Sequence, residues 1–223
     1  MPHSPGATRD DRRLSSMHGL VDVPVVITEK LDGSNVALRA DSAHPYARSH
    51  AGSPSHPSFA PLKALHASLR SCIPEGVTVY GEWLYAVHTL VYEWIPEDPL
   101  QNLYIFAIRY DGDREGYWQS WDCVRELAVY LGVSTVPILA ELVASSENEL
   151  EDIAADLATA PSCLGGRAST REGVVMRRAA GFPDSAFESS VAKYVSADFD
   201  VRGKHWSANE VLRHRDAANS DKK

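Results

Sequence analysis

The stretch Glu29-Lys30-Leu31-Asp32-Gly33-Ser34-Asn35 follows a β-branched run, Val23 to Thr28 (V-P-V-V-I-T), and precedes a second one, Asn35 to Ala40 (N-V-A-L-R-A). Both runs read as strands, so Lys30 stands where a strand gives way to a turn. Asp-Gly between two strands is an ordinary hairpin signal, because glycine tolerates positive φ and aspartate bonds its own backbone nearby. An isolated K-x-D-G would be read that way, and only the remainder of the chain can give the lysine a chemical role.

The chain has 223 residues, 44% of them hydrophobic, enough for one sizeable core. No stretch approaches the roughly 20 apolar residues that span a bilayer, and Met1 to Arg13 is polar instead of signal-like, so a soluble, cytoplasmic protein without membrane contact is expected. Cys72, Cys123 and Cys163 show no C-x-x-C spacing and read as buried or inert thiols. The nine histidines lack metal-ligand spacing such as H-E-x-x-H. A net charge of −8 argues against indiscriminate binding to polyanions, but the charge is uneven. Residues 1–159 carry 11 basic and 22 acidic side chains, and residues 160–223 carry 11 basic and 8 acidic. Arg167, Arg171, Arg177, Arg178, Lys193, Arg202, Lys204, Arg213 and Arg215 are candidates for a phosphate-facing surface, or else form a solvated, silent face.

Residues 1–18 lack periodicity and are expected to be flexible, residues 19–207 to form the folded domain, and residues 208–223 a polar tail. Ala43 to Pro57 reads as a long loop. Ser58 is expected to cap a helix through Arg70 with Leu62, Leu65 and Leu69 on its buried face. Ser120 and Gly132 punctuate a second helix, carrying Val124, Leu127, Ala128 and Leu131. Ser146 and Glu149 form a capping box for a third, with Leu150, Ile153, Ala154 and Leu157 as its stripe. Val77 to Trp83, Leu103 to Tyr110, Gly173 to Arg178 and Ser190 to Val195 read as strands. Strands grouped with a few helices point to an α+β fold, not a doubly wound parallel one.

Five separated segments occur in a telling order: Lys30-Leu31-Asp32-Gly33, Tyr80-Gly81-Glu82, Tyr104-Ile105-Phe106-Ala107-Ile108, Glu172-Gly173-Val174-Val175 and Val191-Ala192-Lys193-Tyr194. Taken singly, Phe106 reads as core, Glu82 and Glu172 as surface charges and Lys193 as an edge-strand lysine. Taken in order, the set resembles the motifs of the covalent lysine nucleotidyltransferase superfamily of ATP-dependent ligases and capping enzymes. Ser34-Asn35, Arg48-Ser49, Leu84-Tyr85-Ala86-Val87-His88 and His205-Trp206 make the chain most similar to the RNA ligase branch, over about residues 23–207.

The resemblance implies a nucleotidyltransferase (adenylation) domain of the ATP-grasp-like ligase type, with antiparallel sheets flanked by helices around a nucleotide cleft. It implies ATP as AMP donor and Mg²⁺ or Mn²⁺ as cofactor. Lys30 would attack the α-phosphorus, for which its amine must be neutral although an ordinary lysine pKa is about 10.4. Lys193 would offset phosphate charge, Glu82 would bond a ribose hydroxyl, Phe106 would stack on adenine, and Glu172 would hold the metal. Arg48 would orient ribose or phosphate, Glu29 would meet the adenine edge through its backbone, and Asn35 would reach the phosphate or a metal-bound water. Asp32 and Gly33 would shape the turn carrying Lys30. His88, His205 and Trp206 have no assigned role.

Many members of the superfamily carry two lysines in the last motif, whereas Tyr194 and Val195 follow Lys193 here; Arg202 or Lys204 are candidate sources of the second charge. About 30 residues follow Lys193, so a bare catalytic domain is expected. The implied partner is RNA with 5′-phosphate and 3′-hydroxyl ends, with a protein partner as a candidate source of strand grip. DNA joining, GTP-dependent capping, and a nucleotide- or RNA-binding module without strand joining are the alternatives.

Overall fold

The computed structural model describes residues 16–47, 54–112, 115–165, 171–196, 199, 211–214 and 216–217. Two sheets organise it. The smaller has the order β11 (Val191–Val195), β9 (Gly173–Arg178), β1 (Pro24–Lys30) and β8 (Ile138–Val143), all antiparallel. The larger has the order β10 (Phe182–Pro183), β6 (Tyr117–Trp118), β5 (Leu103–Tyr110), β4 (Val77–Trp83), β2 (Ser34–Arg39) and β3 (Tyr46–Ala47), with β7 (Ser134–Thr135) pairing β5 in parallel. Antiparallel sheets flanked by helices match the expected α+β class.

β1 and β2 do not pair with each other; they belong to different sheets. The Asp-Gly turn is therefore no hairpin. It is the crossing from one sheet to the other, and Lys30 is the last residue before it. Gly33 is not needed for positive φ, which among described glycines falls at Gly76, Gly132 and Gly165. It is needed for space, because a Cβ there would lie 2.5 Å from Leu84 Cδ2 and 2.8 Å from the Trp83 carbonyl oxygen.

β1 is buried on both faces, as its β-branched run requires. Val25 and Ile27 join Val174, Met176 and Ala192 against α3 (Glu147–Thr159), which contributes Leu150, Ala154 and Ala158. Val26, on the opposite face, joins the larger core with Val36, Leu38, Val79 and Ile105. That core is covered by α1 (Ala60–Leu69) through Leu62 and Leu65 and by α2 (Trp121–Leu131) through Val124 and Ala128. Each buried Val, Leu, Ile or Met among them contributes about 1.5–3 kcal/mol by leaving water.

Helix punctuation follows the sequence in part. Ser120 Oγ accepts from Cys123 N (3.3 Å), and Gly132 closes α2 in the left-handed region at φ 67°. Ser146 Oγ accepts from Glu149 N (3.2 Å), but Glu149 returns its bonds to Ser145, through N and Oγ, instead of to Ser146. Ser58 is not a cap: a 3-10 turn, Pro57–Phe59, precedes α1, and His56 Nδ1 accepts from Ser58 N instead. Ser58 is buried, and its carbonyl accepts from Trp83 Nε1 (2.9 Å). A four-residue helix, α4 (Phe187–Ser190), occupies the start expected for the last strand. Packed residues reach Met17 and His214, inside the segments set apart as flexible and as a polar tail. The cysteines are free but not buried: Cys72 and Cys123 are half-buried and Cys163 is exposed. Among the described residues no helix is long and apolar enough to cross a membrane.

Candidate active site

Lys30 ends β1 opposite Gly173, the residue after Glu172, so the sheet register brings Lys30 Nζ to the Glu172 carboxylate in an ion pair. Thr28, Val175 and Lys193 are paired across β1, β9 and β11, and alternation puts them on the face that Lys30 shares. Ala192 and Tyr194 pack on the other face with the α3 core. Lys193 is near enough to lower the pKa of Glu172.

From the larger sheet, Glu82 pairs with Asn35 across β2 and β4, and its Oε1 accepts from Gly33 N (3.1 Å). Four of the five motif segments thus converge around the turn through Lys30, Glu82, Glu172 and Lys193. Phe106 sits at an irregularity where the β4–β5 register slips by one residue, a feature that re-aims a side chain. Phe106 is half-buried, and its carbonyl accepts from Arg177 Nη1 (3.4 Å).

The electrostatics revise one expectation. Burial drives the Lys30 amine toward neutrality, but the Glu172 carboxylate, with smaller contributions from Glu82 and Asp32, outweighs it and holds the ammonium above its ordinary pKa. In this state Lys30 is a cation, not the neutral nucleophile that chemistry demands. Burial pushes Glu82 up to about 8, against the pull of Lys30 and helped by Glu172 and Asp32. Burial likewise lifts Glu172 to about 7, again opposed by Lys30. Three carboxyl groups and two amines crowd the turn, and burial raises the carboxyl pKa values so that the three are not all ionised near neutral pH. Among the described residues Glu172 Oε2 is buried without a hydrogen-bond partner. That orphaned oxygen fits a metal contact, although among the described residues no three His, Cys, Asp or Glu side chains form a ready-made cage. A single carboxylate suits Mg²⁺, which is usually held by one or two protein oxygens plus substrate phosphates.

Asp32 holds the turn through backbone amides of residues 89 and 90. Its Oδ2 accepts from Thr89 N (2.6 Å) and Leu90 N (2.7 Å), and its own N donates to Tyr92 Oη (2.7 Å). Burial raises its pKa, and those two backbone bonds oppose the rise. Glu29 lies on the α3 face of β1, almost fully buried, where its carboxylate accepts from Cys163 N (2.8 Å) and pairs with Arg171 (3.4 Å). Its backbone N–H donates to the Pro137 carbonyl (2.9 Å). Ser34 Oγ lies 3.2 Å from His88 Nε2. Arg48, His205 and Trp206, with Arg202 and Lys204, lie outside the described residues.

The expected basic surface is also revised. Arg171 is buried against Glu29 and donates to the Leu157 carbonyl (2.5 Å). Arg177 is buried, its pKa brought down to about 10 by desolvation, and donates to the Gln119 carbonyl (2.6 Å). Arg213 stacks over the Tyr85 ring at 4.8 Å. These three serve the fold. Tyr92 and His214, which touch the turn or its support, carry no local sequence signal and were not anticipated.

A surface groove of about 380 Å³ runs along β2, β4 and β5 and meets this site only at Asn35. Its arginines are engaged: Arg39 with Asp41 (2.9 Å) and Asp111 (2.8 Å), Arg109 with Asp111 and Asp184. The converging carboxylates and amines lie apart from this groove except at Asn35.

No curated protein sequence matches the chain. The fold is similar to solved structures of the Naegleria gruberi RNA ligase. A ligand-free variant matches at TM-score 0.57 and 18% identity, covering 81% of this chain and 51% of that one. Two variants solved with ATP and Mn match at TM-scores 0.55 and 0.54 with 20% and 19% identity, covering 85% and 81% of this chain and 56% and 51% of theirs. The chain spans about half the length of these proteins. The RNA ligase family matches residues 23–195, from the start of the strand that carries Lys30 to the end of the strand that carries Lys193. Over that span, which takes in four of the five motif side chains gathered around one turn, the chain belongs to the RNA ligase family.

Proposed function

We propose that the protein is a cytoplasmic, ATP-dependent RNA ligase built on a nucleotidyltransferase domain, and that Lys30 carries AMP between ATP and an RNA end. The observation that carries this reading is the meeting of Lys30, Glu172 and Glu82 where the two sheets join. The solved relatives with ATP and Mn agree with it.

In the first step the neutral Lys30 Nζ attacks the α-phosphorus. A P–N bond forms, the P–O bond to the β-phosphate breaks, and pyrophosphate leaves. Because Lys30 begins as a cation paired with Glu172, its proton must leave first, and Glu172 Oε1 is the acceptor in contact with it. Burial, by lifting that carboxyl to about 7, makes it a stronger acceptor than an ordinary carboxylate. Glu172 would hold the divalent ion through Oε2, directly or through water, and the ion supplies charge neutralisation at the α-phosphate. Lys193 adds a second cation on the same face. Glu82 bonds the ribose, Phe106 stacks on adenine, and Asn35 reaches the phosphate from the next strand. Glu29 bears on the adenine edge through its backbone, Asp32 and Gly33 hold the turn, and Arg48 orients ribose or phosphate.

AMP then passes to a 5′-phosphate, giving a 5′-5′ pyrophosphate, and a 3′-hydroxyl displaces AMP to seal the strand. The test is incubation with ATP, Mg²⁺ and 5′-phosphorylated RNA, single-stranded and nicked, with DNA and GTP as competing arms. Sealing of RNA with ATP is expected. Sealing of DNA alone, or use of GTP alone, contradicts the reading.

A further inference from the structure

We propose that His214 and Tyr92 are positioning residues for the Lys30 turn, and that the segment carrying His214 is an intramolecular strap across the turn's support. This rests on the lysyl-AMP reading for its kinetic consequence but not for its structural one.

The connections are continuous. Leu212 O accepts from Val87 N (2.8 Å), and Arg213 Nη2 donates to the Glu97 carbonyl (3.1 Å), so the segment grips both ends of residues 87–97. Between them Tyr92 N donates to His214 Nδ1 (3.1 Å), with the two rings 5.2 Å apart. Tyr92 Oη then accepts from Asp32 N (2.7 Å), two residues from Lys30. Tyr92 is 1% exposed and His214 2%. The next amide, Gly33 N, is taken by Glu82 (3.1 Å). Two consecutive amides of the turn are thus each held by a side chain from a different element.

The bonding pattern argues against simple packing. Among the described residues His214 Nε2 is buried without a hydrogen-bond partner. An unsatisfied buried nitrogen is costly, and an aliphatic side chain would fill the space without that cost. What histidine supplies here, and an aliphatic side chain would not, is the Nδ1 acceptor for the Tyr92 amide. The acceptor fixes Tyr92, Tyr92 fixes Asp32, and the aim of Lys30 follows, where a displacement of about 1 Å can cost about 100-fold in rate.

The test uses the full chain. His214→Leu keeps bulk and removes the acceptor, His214→Asn restores an acceptor near Nδ1, and Tyr92→Phe removes only the hydroxyl. Single-turnover lysyl-AMP formation is followed across an ATP titration, and amide hydrogen exchange is followed at residues 29–34. His214→Leu and Tyr92→Phe are expected to slow adduct formation about tenfold or more with half-saturation by ATP nearly unchanged, and to speed exchange at the Asp32 amide. His214→Asn is expected to recover most of both. Wild-type rates and exchange in folded His214→Leu, or no recovery in His214→Asn, would overturn the strap. If wild-type protein forms no adduct, the functional reading falls while the Asp32 exchange still decides the strap.

Discussion

Lys30 is the residue on which sequence and structure differ most usefully. A nucleophilic amine must shed its proton, yet Glu172 holds this one as an ammonium above its ordinary pKa. On the proposed lysyl-AMP mechanism, this ion pair must open before chemistry. Glu82 gives a test by pH. Its folded-state pKa of about 8 lies above the unfolded carboxyl value of 4.5, so the folded state binds the extra proton between them. Its contribution is complete below about pH 4.5 and is lost as pH rises through about 8. Glu82→Gln, which keeps the acceptor for Gly33, should match wild type in urea melts near pH 4.5 and exceed it by at least about 2 kcal/mol above pH 8. Equal stability at both ends would show that Glu82 is not held protonated. Gly33→Ala tests the turn. Its Cβ meets the Trp83 carbonyl at 2.8 Å, a backbone atom that cannot swing aside. A loss of about 1–3 kcal/mol and of about 100-fold in adduct formation is expected, and near-normal melts with normal adduct formation would contradict the crowding.

At the scale of elements, β1, β4, β5, β9 and the caps of α2 and α3 were legible because each rests on a local signal: β-branched runs, Ser at an N-cap, Gly132 past a helix end. β8 was not. Ile138-Leu-Ala-Glu-Leu-Val has no fully buried residue and few strand formers, and only its pairing with β1 makes it a strand. Ser58 misled because the preceding Pro57 starts a 3-10 turn first. The docking of His214 was illegible for a deeper reason, since its bond to Tyr92 spans 122 residues. Burial, and then Arg213, bring the His214 pKa down to about 4 from 6.5. Folding therefore excludes a proton that the unfolded chain binds below about pH 6.5, and stability at this contact falls as pH drops from about 6.5 to about 4. Exchange protection of the Tyr92 amide should be lost over that window while α2 and α3 stay protected. Protection unchanged between pH 6.5 and pH 4 would contradict this linkage.

Across the whole molecule, the candidate site was legible where a motif residue sits on a strand whose neighbours are also motif strands. Lys30, Glu172 and Lys193 meet for that reason, whereas Glu82 comes from the other sheet and joins them at the crossing turn, where Gly33 N donates to it. Charge was the poorer guide. Of nine basic residues marked as phosphate-facing, Arg171 and Arg177 are inside the fold and Arg213 lies on Tyr85. All nine would give a salt dependence of about −6 in log–log slope on single-stranded RNA, and removing those three leaves about −4. Anisotropy titrations should give about −4 or shallower; a slope near −6 would return the buried arginines to the RNA surface. ATP with Mg²⁺ should also stabilise the molecule by mass action, about 2.7 kcal/mol at 100 times the Kd, or a Tm rise of about 5–10 °C.

The central claim is that Lys30 becomes joined to adenylate, and intact-protein mass spectrometry with peptide mapping after incubation with ATP and Mg²⁺ tests it most directly. A gain of one AMP, located on Lys30 and absent from Lys30→Ala, is the predicted result. No gain in the wild-type chain, or a gain that persists in Lys30→Ala, would contradict it.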